Sequence, residues 1–203
     1  MVIEIVLLCV SGLNGLSTAR CVETYSRATA IIERQISVRF ELAKRRSISN
    51  PFTTLSYVGQ QETLLHHYSI VMQRIGRRVP FQEGRERVYL AIIPPLFDAA
   101  KEHWFMAGLT TVTCPRKYKI TAASIMVGEE ENFYGAKRFR HGVIGVNHEL
   151  LHNLGAYHIR SEYGILGRLS IMDENILAHA TERGAARISA KSKREIASCL
   201  NWR

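Results

Sequence analysis

Apolar residues run almost unbroken from Val2 to Val10, with Glu4 the one interruption, and such a run predicts a buried β-strand. From Leu16 to Arg34 the spacing changes. Val22, Tyr25, Ala28, Ile31 and Ile32 fall on one face of a helix, with Ser17 or Thr18 placed to cap it. Ile36-Ser37-Val38-Arg39-Phe40-Glu41-Leu42 then alternates apolar and polar residues, the pattern of a half-buried strand. Strand, helix and strand in succession suggest a crossover unit.

Ser47 to Gln60 reads as a loop by its Ser, Asn, Pro and Gly content. Glu62 to Ile75 reads as a helix ended by Gly76; it carries His66 and His67, which have no motif partner and are read as surface or satisfied core histidines. Arg87 to Ile93 predicts a third strand, stopped by Pro94-Pro95. Phe105 to Thr113 and Ile120 to Val127 predict two more, separated by a turn at Cys114-Pro115-Arg116-Lys117, and Gly128 to Gly135 is a polar loop. Beyond it, Val143, Val146, Leu150 and Leu154 recur at three- and four-residue steps and predict a helix with one apolar stripe. Glu162 to Arg168 is loop-like, and Ser189 to Leu200 predicts a closing helix capped by Ser189.

At 203 residues the chain suits a single domain over 1–203, and a hydrophobic fraction of 46% with 22% charged residues excludes disordered and collagen-like classes. The formal charge is +9, clustered at Lys44-Arg45-Arg46, Arg77-Arg78, Lys137-Arg138-Phe139-Arg140 and Lys191 to Arg194. Polyanions are the partners such a surface would attract. The clusters are scattered and lack interleaved aromatics, so a solvated basic surface is the stronger reading and nucleic acid is disfavoured. The apolar start, followed by Ser17-Thr18-Ala19, is compatible with a signal peptide, but Glu4 interrupts it and no positive charge precedes it. No run reaches the roughly 18 apolar residues of a membrane span.

Candidate chemistry concentrates in Asn147-His148-Glu149-Leu150-Leu151-His152-Asn153-Leu154-Gly155-Ala156-Tyr157-His158, which fills every fixed position of H-E-x-x-H-x-x-G-x-x-H. On a helix His148 and His152 lie within roughly 40° of each other and both reach one ion. Gly155 tolerates φ > 0 and lets the chain turn back, which would bring His158 to the same point. Three imidazoles with a fourth position open describe a catalytic zinc site rather than a structural one. Glu149 lies about 100° round the helix from His148, unsuited to ligation but able to reach a water on the metal as general base. Ordinary histidines on a helix are the bland alternative; a chance match to five specified positions is on the order of 10⁻⁵ to 10⁻⁴ at average residue frequencies. The acidic run Glu129-Glu130-Glu131 has oxygen ligands that calcium takes, but an exposed charged loop explains it as well and nothing else supports calcium.

With Ser170-Ile171-Met172-Asp173 following the third His, the sequence resembles the metzincin zinc endopeptidases, in which the extended motif is followed by a Met-containing turn; Met172 matches that Met. His152-Asn153-Leu154-Gly155 looks most like the reprolysin (adamalysin) branch, although Leu151 stands where that branch usually has Gly and Ile159 where it usually has Asp. The resemblance implies an α/β (α+β) fold: a mixed, mostly parallel five-stranded sheet with helices and a zinc helix below the cleft. Residues 1–158 would form an upper lobe, and 159–203 a small lower lobe with the Met-turn and the last helix.

Gly108-Leu109-Thr110-Thr111-Val112-Thr113-Cys114-Pro115-Arg116-Lys117 resembles the branch's substrate-edge strand and the turn after it, and Ser198-Cys199-Leu200-Asn201 its final Cys segment. The resemblance therefore implies a Cys114–Cys199 disulfide, a secreted protein, and an extended peptide substrate lying along Ala107 to Val112, with Gly108, Leu109 and Thr110 in its binding strand. Asp173 to Ile176 would wall the side-chain pocket. Cys9 and Cys21 have no assignment from the family; buried thiols and a second bridge are both open. The expectation is a monomeric zinc endopeptidase. The alternative is a catalytically weak, metalloprotease-like binding protein that holds polyanions on its basic surface.

Overall fold

A computed structural model describes residues 1–11, 17–49, 70–80, 82, 84–93, 96–98, 103–105, 108–110, 122–127, 136–157 and 187–200. Strand β1 (Val2–Ser11) leads into helix α1 (Thr18–Glu33) and strand β2 (Arg39–Ser49). The Ser17 side chain accepts from the Arg20 N–H, capping α1, and the Glu33 carboxylate near its end accepts the Phe40 N–H at 2.6 Å, joining helix to strand. β1 and β2 run parallel with a register shift between Ile5 and Val6, so the opening is a crossover unit.

β2 differs from its sequence expectation at both ends. Residues 34–37 remain in turn and bend geometry after α1, with the Ile36 N–H bonded to the Ile32 carbonyl, so the strand begins at Arg39. At the far end it continues through Ser47-Ile48-Ser49, which read as loop, because Cys9, Val10 and Ser11 offer a complete parallel partner. Polar Ser residues suit that position, since β2 ends the strand order and is largely exposed beyond Leu42. Lys44-Arg45-Arg46 lie on this exposed edge, where like charges discourage pairing with another chain.

A helical stretch over 70–76 precedes β3 (Glu86–Ile93), which pairs parallel with β1. Two short strands, β4 (Leu96–Asp98) and β5 (His103–Phe105), pair antiparallel as a separate ribbon. β6 (Gly108–Thr110) and β7 (Ala122–Val127) complete the main sheet, in the order β2-β1-β3-β7-β6; β3 and β7 are parallel, and β6 is antiparallel at the edge. Helices α2 (Ala136–Asn153) and α3 (Ala190–Leu200) follow. The result is a mixed α/β fold.

Strands β1 and β3 are buried on both faces because each face meets helix, and apart from the Glu4–Arg87 pair their buried residues are apolar. Ile3, Ile5, Leu7 and Cys9 of β1 and Val88, Leu90 and Ile92 of β3 share one core with Tyr25, Ala28 and Ile32 of α1 and with Val143, Val146, Leu150 and Leu154 of α2. Each fully buried Leu, Ile or Val of this kind contributes on the order of 1.5–3 kcal/mol. α2 packs against α1, β6 and β7, so the motif helix is held between the first helix and the antiparallel edge of the sheet.

The opposite face carries Val6, Leu8 and Tyr89, with Met72 and Ile75 buried alongside. A Cβ added at Gly76 would overlap the Tyr89 ring, so this glycine allows the 70–76 helix to lie close on β3.

Cys9 and Cys21 form a disulfide that ties β1 to α1. In the chain-entropy account a closure this short stabilises by about 3 kcal/mol. Cys199, buried on α3, is also disulfide-bonded; Cys114 lies outside the described residues, and so does the implied pairing. Among the described residues no helix is long and apolar enough to cross a membrane.

Candidate metal centre

The apolar stripe expected of α2 is buried throughout: Val146 and Leu150 have no exposure, and Val143 and Leu154 almost none. Burial is wider than that stripe, because Ile144 and Leu151 are enclosed as well. Only His148 and His152 interrupt it between 143 and 156, both half-buried, so the helix is fixed on every side except the one carrying the two imidazoles.

Those imidazoles converge. Nε2 of His148 lies 3.1 Å from Nε2 of His152, with the rings edge to face and their centroids 4.7 Å apart. Nδ1 of His152 is 2.8 Å from the Ala156 carbonyl oxygen. A carbonyl only accepts, so Nδ1 carries the proton, and in the neutral ring Nε2 presents its lone pair.

The Ala156 carbonyl is delivered by the way the helix stops. Gly155 has φ 97°, the Gly155 N–H donates to the His152 carbonyl at 3.0 Å, and the Ala156 N–H donates to the Leu151 carbonyl at 3.0 Å. This pair of bonds around a left-handed glycine is the Schellman motif. It folds the chain back over the last turn, which explains why Gly155 belongs to the ligand pattern although it has no side chain. The Asn153 amide donates to the Glu149 carbonyl at 3.0 Å, and the Tyr157 N–H donates to the Glu195 carboxylate of α3 at 3.1 Å.

Zinc fits the described half of this donor set. An ion at the usual 2.0–2.1 Å from both Nε2 atoms would see them about 100° apart, close to a tetrahedral angle. The hydrogen bond on the far nitrogen of His152 is the support that metal-binding imidazoles ordinarily have.

Glu149 is buried beside His148. Gly108, Leu109 and Thr110 are the three residues of β6, the strand that ends the sheet order and packs against α2. His158, Met172, Asp173 to Ile176 and Glu129-Glu130-Glu131 lie outside the described residues. Three features outside the fixed positions of the motif were given no role from sequence. Glu195 looks like any solvated acidic residue on an amphipathic helix; Ala156 contributes a backbone atom; Asn147 is fully buried, with neither side-chain polar atom hydrogen-bonded among the described residues.

The basic clusters with described side chains, Lys44-Arg45-Arg46, Arg77-Arg78 and the exposed residues of Lys191 to Arg194, lie on three separate elements.

The sequence matches no protein-family model and no curated protein. Its fold has a counterpart. Metalloproteinase-II from Bacteroides fragilis superposes with a TM-score of 0.55 over 98% of this chain at 14% identity. The chain spans about half of that one, 53% of its length. At this identity the likeness is one of fold alone.

Proposed function

We propose that the chain is a zinc-dependent endopeptidase of the metzincin type, with its nearest resemblance to the reprolysin branch. The observation that carries the reading is the convergence of the two imidazoles, Nε2 to Nε2, on a helix ended by the glycine turn that leads toward His158. His148, His152 and His158 hold the ion. Zinc, when bound, acidifies a water and polarises the scissile carbonyl.

The protein's own residues do the rest. Glu149 takes the proton from the attacking water and returns it to the departing amine nitrogen. Its burial keeps the carboxylate out of bulk solvent, where proton transfer would be less directed. The peptide adds as an extended strand along Gly108-Leu109-Thr110, its main chain supplying affinity and one side-chain pocket, walled by Asp173 to Ile176, supplying preference. Met172 shapes the floor beneath the metal. An extracellular site of action agrees with the Cys9–Cys21 disulfide, since such bonds persist in oxidising compartments.

The test separates metal from base. Zinc analysis should give one ion per chain, and cleavage of a quenched peptide library should stop on adding a chelator. Glu149→Ala should retain the zinc and lose about 10²- to 10⁴-fold in turnover. A Glu149→Ala protein that still cleaved at the original rate would remove the base assignment, and a folded wild-type protein without zinc would remove the whole reading.

A further inference from the structure

The peptide unit between Ala156 and Tyr157 is held at both ends. Its carbonyl oxygen accepts from Nδ1 of His152 at 2.8 Å, and its N–H donates to Oε2 of Glu195 at 3.1 Å. A peptide is planar, so two hydrogen bonds on opposite sides fix the orientation of the whole unit. That unit immediately precedes His158 in sequence.

The three groups form a chain: carboxylate, peptide, imidazole. A carboxylate on the N–H side draws the peptide toward its dipolar resonance form and places more negative charge on the carbonyl oxygen. That oxygen then accepts more strongly from the imidazole N–H, because hydrogen bonds in series polarise one another. A carboxylate bonded directly to a ligand histidine raises its basicity and fixes its ring. Here the same influence would pass through one peptide.

Glu195 suits the role. It lies in the second turn of α3 and is only 19% exposed in its side chain, and Lys191 one turn earlier stands 3.9 Å from its other oxygen. The helix that carries it is anchored by the Ser189 cap, by burial of Ile196 and by the disulfide at Cys199. Tyr157 itself is 60% exposed, so its own burial contributes little to holding this turn.

We propose that Glu195 is a positioning residue for the metal centre: through the Ala156–Tyr157 peptide it orients His152 and the segment leading to His158, coupling zinc affinity to the docking of the C-terminal helix. The proposal rests on the zinc reading above.

The experiment compares Glu195→Ala, Glu195→Asp and Glu195→Gln in the full chain by competition with a chromophoric zinc chelator, with the visible spectrum of the cobalt-substituted protein and amide exchange at Tyr157 as second readouts. Gln keeps both reach and an acceptor oxygen; Asp keeps the charge but is one methylene shorter. Ala and Asp should weaken zinc about tenfold or more, alter the cobalt spectrum and speed Tyr157 exchange. Gln should stay within a few-fold of wild type. Because Asp preserves charge and Gln preserves geometry, the pair remains decisive even where Ala folds poorly. Wild-type zinc binding with all three variants equal to it would overturn the positioning role and leave the endopeptidase reading intact. A wild-type protein that bound no zinc would overturn both. Zinc binding kept in Asp and lost in Gln would also overturn the geometry argued here, because charge alone would then account for it.

Discussion

The two faces of the central sheet treat buried polar groups in opposite ways. On the face away from the motif helix, Arg87 and Glu4 are register partners on adjacent parallel strands and are almost fully enclosed. All five N–H donors of the Arg87 guanidinium are used: Nε and Nη2 on Glu4, Nη1 on the Gly76 and Val79 carbonyls, and Nη2 again on that of Pro80. On the other face, His148 and His152 aim like nitrogens at one another, 3.1 Å apart, from half-buried positions. Two such nitrogens can share one proton, or both can donate lone pairs to one cation. The first network is closed on itself and can only hold the fold. The second pairs two groups whose chemistry also suits the proposed ion.

The sharpest way to break this comparison is to open the closed network. Arg87→Met leaves the Glu4 carboxylate buried with, among the described residues, Arg85 as its remaining cation at 3.9 Å, and should cost about 3–5 kcal/mol in urea denaturation. Pairing it with Glu4→Gln should recover part of that loss, since the uncompensated charge is then gone. Zinc bound per folded chain should not change in either protein. A zinc deficit in folded Arg87→Met would show that the two faces are not independent.

How much of this was legible in the sequence follows the same division. The crossover opening could be read because it is local: β1 is continuous and apolar, α1 has its Ser17 cap, and each pattern has its own period. The α2 stripe and the Ser189 cap were legible for the same reason. Glu4 was read as a blemish in a strand; its partner lies 83 residues away, and no periodicity announces such a pair. The end of β2 was misjudged because Ser47-Ile48-Ser49 resembles loop by composition, whereas an edge strand needs only a backbone partner. At the candidate site, the motif named His148, Glu149 and His152, but the Ala156 carbonyl and the Tyr157 N–H that meets the Glu195 carboxylate are backbone groups, which carry no sequence signal. The Cys9–Cys21 bond stayed open for a similar reason, since four cysteines admit three pairings.

The next prediction is smaller and touches the site face. Gly155 sits at φ 97°, where a Cβ is strained. Gly155→Ala should lose about 1–2 kcal/mol of stability. Unlike Arg87→Met, it should also weaken zinc, because relieving the strain moves the Ala156 carbonyl away from Nδ1 of His152. Thermal melts of the metal-free protein and chelator competition, run on the same sample, read the two effects separately. Stability loss with unchanged zinc affinity would mean that the turn ends the helix without serving the ligand.

The smallest expected effect tests whether α3 matters to the site as a whole helix or through one contact. Ser189 caps α3 by accepting the Ser192 N–H at 3.0 Å, and Ser189→Ala should cost about 1 kcal/mol. Fraying should be confined to the first turn, because Ile196 in the core and the buried Cys199 hold the remainder. Glu195 lies beyond that turn, so its bond to the Tyr157 N–H should survive. Ser189→Ala should therefore melt at a lower temperature and bind zinc as tightly as wild type, while Glu195→Asp, expected to be similarly mild in stability, should bind it more weakly. If both variants weakened zinc in proportion to their loss of stability, the helix would act as a unit and the single peptide between Ala156 and Tyr157 would have no separate role.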